Sequence, residues 1–159
     1  MTDLMMCQLT PNILKDTGVD ETQVILDTGP LVALMRKRDR FHQWAVQEWG
    51  QTQPPLLTCE AVLSETLFLL RDYQIAQEGI MEMLAQNIII VAFNIGENIP
   101  QLQALLSRYQ SVPMSLADAC LVRMSELSPQ SSILTLDSDF QIYRKHREQI
   151  IPVVTPNSM

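Results

Sequence analysis

"VILDTGPLVAL", residues 24–34, sets an aspartate inside an apolar run. Val24, Ile25 and Leu26 read as a short buried strand, Asp27 falls where that strand should end, and the breaker pair Gly29-Pro30 leads into a second apolar stretch. A carboxylate at the C-terminal end of a buried strand is costly to desolvate unless something satisfies it. A helix N-terminus, a metal ion or both would do so.

Outward from this stretch, strand and helix signals alternate. The pattern predicts a helix over 29–38, entered through Pro30 in its first turn, where a missing N–H costs nothing. A second helix is expected over 41–49, a loop at Pro54-Pro55, a strand over 56–58, and a helix over 61–71 whose broad apolar face carries Val62, Leu63, Thr66, Leu67 and Leu70. A helix over 75–85 is broken at Asn87. The continuous β-branched run Ile88 to Phe93 then suits a strand covered on both faces. Helices over 99–109 and 116–127 follow, the latter started by Ser115, then a strand over 132–137, a short helix over 140–147 and a strand over 151–154.

Parallel neighbours need crossover connections, and these are usually helical. The expected fold is therefore α/β, a parallel-sheet three-layer α/β/α sandwich, over 23–155. Residues 1–22 are expected to form a poorly ordered N-terminal arm.

The bulk properties narrow the function. A chain of 159 residues with 47% apolar content suits one folded domain. Its apolar runs fall far short of a membrane span, and residues 1–21 do not resemble a signal peptide, so a cytoplasmic protein with no membrane contact is expected. Three cysteines and two histidines offer no zinc set; Cys59 and Cys120 sit in apolar stretches and read as core packing. A net charge of −7 argues against non-specific coating of nucleic acid. Seven of the eleven lysines and arginines nevertheless fall in two clusters, Arg36 to Arg40 and Arg144 to Arg147. Each suits either a phosphate contact or a solvated helix end.

In open parallel sheets, ligands bind beyond the carboxyl ends of the strands. Asp27 ends the first strand and Asp137 the "ILTL" strand, so both should emerge on that edge, with Asp139 two residues on. Glu65, in "TCEAVLSETLFLL", lies at the border of an apolar helical face, where a glutamate reaching solvent is the simpler explanation. Asp118, three residues after Ser115, matches a capping box, which alone would account for it. Together, acids gathered on one edge repel one another unless a cation lies between them, and with no histidine or cysteine set they select Mg²⁺ or Mn²⁺.

"VILDTGPLVAL", "LTCEAVLSETLFLL", "MSLADACLVRMSE" and "ILTLDSDFQIYR" resemble, in order and spacing, the four acidic blocks of PIN-domain nucleases, close to VapC-like toxins of bacterial toxin–antitoxin pairs. The resemblance spans about 24–154. It implies a Mg²⁺- or Mn²⁺-dependent ribonuclease that leaves a 3′-hydroxyl and a 5′-phosphate, with Asp27, Glu65 and Asp118 as the matching acidic core. Asp137 takes the fourth position, while Asp139 matches the aspartate before phenylalanine in the same block. Thr28 and Thr135 match hydroxyl positions beside the first and fourth acids, suited to orienting a water or tying down backbone. Arg144 would be a phosphate contact. An antitoxin protein partner and a homodimer are further implications. A non-catalytic PIN-like binding module stays open. An aspartyl phosphoryl-transfer protein is a weaker alternative, because Gly29 stands where its second aspartate belongs.

Overall fold

In the computed structural model, which describes residues 22–157, five parallel strands form one sheet in the order β3-β2-β1-β4-β7. The strands are β1 (Gln23–Leu26), β2 (Leu56–Thr58), β3 (Ile89–Val91), β4 (Ser131–Leu134) and β7 (Val153–Val154). Six helices flank them: α1 (Thr28–Met35), α2 (His42–Gln51), α3 (Glu60–Leu69), α4 (Gln74–Ala85), α5 (Ile99–Arg108) and α6 (Leu116–Leu127). The expected α/β/α sandwich is thus the fold. The N-terminal arm, apart from residue 22, lies outside the described residues.

The central pair positions the site. β1 pairs β4 in register from Gln23↔Ser131 to Leu26↔Leu134, and the Asp27 N–H donates to the Leu134 carbonyl at 3.1 Å, so the ladder runs one residue past β1. That bond sets Asp27 level with Thr135. Ile25, Leu26, Ile133 and Leu134 are buried in the core with Leu31, Leu34 and Leu121 from the helices. Truncating any of these large side chains to alanine would cost about 2–5 kcal/mol.

Three expectations need correction. The first helix ends at Met35, so Arg36 to Arg40 form a turn rather than a helix end. The run Ile88 to Phe93 is not a doubly covered strand: among the described residues β3 pairs only β2, at the sheet's edge, and Val91 is 37% exposed. The expected helix over 140–147 is replaced by a short 3₁₀ turn, Ser138–Gln141, and an antiparallel pair, β5 (Arg144–Lys145) with β6 (Gln149–Ile150). Here side chains compete with the helical ladder. The Arg144 N–H donates to the Tyr109 hydroxyl at 2.9 Å, and His146 and Arg147 take left-handed φ values of 48° and 74°, which close the hairpin turn.

Candidate functional site

The start of α1 packs closely on the segment after β4 because residue 29 is glycine: a Cβ there would lie 3.0 Å from Cβ of Leu136, just beyond β4. Asp27 caps α1. Its Oδ1 accepts the Thr28 N–H at 2.7 Å, and its Oδ2 accepts the Thr135 hydroxyl at 2.6 Å. The Thr135 hydroxyl oxygen in turn accepts the Asp137 N–H at 2.9 Å. One buried hydroxyl therefore ties the acid ending β1 to the acid following β4. Asp27 is 7% exposed and Thr135 fully buried.

The other acids approach from separate elements. On α3, Glu65 is exposed; its Oε2 accepts the Thr28 hydroxyl at 3.0 Å, which draws it across to Asp27. Asp118, in the first turn of α6, forms the expected capping box. Its N–H donates to Ser115 Oγ at 3.0 Å, and its Oδ2 accepts the Ser115 N–H at 2.9 Å. Asp137 caps the 3₁₀ turn through Oδ1, which accepts the Asp139 N–H at 2.9 Å. Among the described residues nothing donates to Asp118 Oδ1, Glu65 Oε1 or Asp137 Oδ2. Each of these acids keeps one oxygen for an outside partner.

Asp27, Glu65, Asp118 and Asp137 open on one cleft of about 470 Å³ at the C-terminal edge of the sheet, with Thr28, Gly29, Ser115, Leu136 and Ser138 between them. Its electrostatics follow from this crowding. Burial pushes the Asp27 carboxyl from 3.8 up to about 6, with the Thr135 and Thr28 hydrogen bonds opposing and the charges of Asp118 and Asp137 adding to the rise. Burial likewise raises Asp118, against its bonds to Ser115, and the charges of Asp137 and Glu65 add to it.

A cation in the cleft would relieve both effects. The lining offers oxygen donors and no histidine or cysteine, which suits Mg²⁺ or Mn²⁺. Among the described residues no three acidic, histidine or cysteine side chains form a ready-made metal cage. Mg²⁺ does not require one, since it is commonly held through one or two carboxylates and its own waters.

Asp139 and Arg144 are not among the residues lining the cleft. Arg144 lies in β5, and its Nη1 donates to the carbonyls of Gln141, Ile142 and Tyr143 at 2.7, 3.0 and 2.9 Å. Sequence reasoning missed Tyr143, fully buried between Tyr109 and Phe140, whose hydroxyl lies 3.5 Å from Asp118 Oδ2. Burial pushes its phenol up, so it stays a donor toward the acid. Spacing from Phe140 hints that Tyr143 is buried; no local pattern points to a partner 25 residues away. Cys59 and Cys120 are both buried core residues, as expected.

A family model for the PIN domain matches residues 24–145. Among solved structures, VapC20 of Mycobacterium tuberculosis, a sarcin–ricin loop cleaving toxin, aligns with a TM-score of 0.69. That alignment covers 82% of this chain and 100% of the other at 20% identity, a likeness of fold. None of the curated proteins matches the chain significantly.

Proposed function

The chain belongs to the PIN-domain family, and from that membership and the chemistry of the cleft we propose that it is a Mg²⁺- or Mn²⁺-dependent endoribonuclease. The observation that carries the reading is the opening of Asp27, Glu65, Asp118 and Asp137, from four separate segments, on one cleft at the sheet edge where α/β folds bind ligands. In this reading Asp27, Asp118 and Asp137 hold the cation, and Asp137 rather than Asp139 is the fourth acid because it alone of the two lines the cleft. A bound cation supplies an activated water and positive charge against the phosphate oxygens. Thr135 orients Asp27, and Thr28 holds Glu65 toward the cleft.

The fold likeness to a toxin supports the toxin half of a toxin–antitoxin pair acting on RNA; an antitoxin protein partner, a homodimer and action in the cytoplasm belong to the same proposal. No helix among the described residues is long and apolar enough to cross a membrane.

The test is cleavage of a panel of labelled RNAs with Mg²⁺, Mn²⁺ or EDTA, beside Asp27→Asn and Asp118→Asn proteins shown to be folded. Each substitution is expected to lower metal-dependent cleavage by about a hundredfold or more, the scale on which single charge-stabilising groups act. Cutting that survives both substitutions refutes the site. Absence of both cutting and Mn²⁺ binding favours a PIN-like binding module instead.

A further inference from the structure

The end of α1 away from the cleft carries the opposite charge. Helix α1 starts at the acids and runs eight residues, about 12 Å, to a turn holding Arg36, Lys37, Arg38 and Arg40, all exposed. Arg71, exposed just past α3, joins them. Arg36 donates to the carbonyl of Leu69 and Arg71 to that of Phe68 at 3.0 Å, so two guanidinium groups sit side by side on the last turn of α3. Five of the chain's eleven lysines and arginines therefore gather at one end of an acidic protein.

Helix-end capping accounts for Arg36 and Arg71. It does not account for Lys37 and Arg38, which make no side-chain hydrogen bond or ion pair among the described residues, where the sole lysine or arginine ion pair is Arg123 with Glu126. Of the two neighbouring acids, Asp39 accepts the Phe41 N–H at 2.8 Å and Asp72 is exposed. Aromatic rings are interleaved with the cations. Arg40 lies 4.3 Å over the ring of Phe41, and Arg71 lies 4.5 Å over that of Phe68, which is 64% exposed; Tyr73 is 40% exposed beside them.

Two cations without internal partners, Lys37 and Arg38, near the exposed rings of Phe68 and Tyr73, suit a polyanion with stackable bases better than an acidic polypeptide. We propose that this end of the molecule, the turn after α1 and the end of α3, is a second RNA-contacting surface that holds single-stranded substrate a few nucleotides from the cleft. The proposal rests on the ribonuclease reading and names a substrate-binding surface for it.

The experiment measures binding of the full chain to labelled oligouridylate in EDTA, over a salt series, so that cleavage plays no part. The Lys37→Gln/Arg38→Gln/Arg40→Gln protein, folded by thermal melt, is expected to bind about tenfold or more weakly at low salt. Its plot of log affinity against log salt should be shallower by about 2, since each single-strand phosphate contact contributes about 0.7. Arg108→Gln, an exposed cation on α5, should leave both quantities unchanged. Equal affinity and slope in the triple variant overturn the proposal, as does a loss of the same size in Arg108→Gln. Weakened binding of labelled polyglutamate with oligouridylate binding intact also overturns it and assigns the surface to an acidic protein. Failure of the nuclease reading itself would appear separately, as absent metal-dependent cleavage.

Discussion

Asp27 and Asp118 face one cleft but are supported in opposite ways. The oxygens of Asp27 are held by its neighbour's N–H and by a hydroxyl 108 residues away, just past the end of the strand alongside. Asp118 is held within its own helix turn by Ser115, three residues before it, with the Tyr143 hydroxyl as an outer contact. Asp27 can exist in place only once β1 and β4 have paired, whereas the Asp118 turn is specified locally. The burden of desolvation follows the same division, since Asp27 is the acid driven up to about 6. The difference teaches that an acidic site of this kind is anchored by one long-range contact and completed by local ones.

Removing the long-range contact should therefore have the largest effect on stability. Thr135→Val keeps the shape but leaves Asp27 Oδ2 and the Asp137 N–H without their shared partner in a fully buried position. A lost bond to a charged group, plus an orphaned backbone donor, is expected to destabilise by about 2–3 kcal/mol in denaturant unfolding. A Thr135→Ser protein keeps the hydroxyl and should recover most of that. If the valine variant is as stable as wild type, the bridge between the two strand-end acids contributes nothing.

The next effect concerns the charge on Asp27. Its folded pKa of about 6 lies above the 3.8 expected when unfolded, so between those values the folded state binds more protons. The stabilisation from this group is complete below about pH 3.8 and is lost as pH rises through about 6. In EDTA the protein should thus lose on the order of 2 kcal/mol from this group between pH 4 and pH 7. Asp118, also raised, adds in the same direction. Thermal melts across this range should show a clearly flatter decline for Asp27→Asn, and Mn²⁺ at neutral pH should raise the melting temperature of wild type by mass action. Parallel profiles for the two proteins would contradict the burial of a strained carboxylate.

The same division explains what could be read from the sequence. Alternating apolar runs and breakers specify the order of strands and helices, because the 2.0 and 3.6 periods are local. Ser115 and Asp118 are legible for the same reason, and so is the end of α4 at Asn87, which takes φ 56°. The end of the chain reads as a helix over 140–147 because the competing interactions are remote: Tyr109 takes the Arg144 N–H and Asp118 meets the Tyr143 hydroxyl. An apolar run such as Ile88 to Phe93 does not reveal whether a further strand pairs beyond it, so its place at the sheet edge was not legible. Glu65 and Asp118 were individually weak signals, each with a local explanation, while Asp27 and Asp137 were legible as strand-ending acids; the contact of Thr28 with Glu65 and of Thr135 with Asp27 is what ties the distant segments together.

The local support of Asp118 should give the smallest effect and the sharpest separation of stability from function. Ser115→Ala removes the side-chain cap from the Asp118 N–H but leaves the Ser115 backbone donor on Asp118 Oδ2. Loss of an N-cap of this type costs about 1 kcal/mol. Because the carboxylate keeps a backbone anchor, any fall in metal-dependent cleavage should be modest beside that of Asp118→Asn. Mn²⁺ titration should likewise show little change in affinity, since the Asp118 oxygen with no protein donor is untouched. A loss of cleavage in Ser115→Ala matching that of Asp118→Asn, with the fold intact, would make the serine hydroxyl part of the binding surface of the cleft, whose wall it already lines, and the contrast between a locally capped acid and a remotely anchored one would no longer hold.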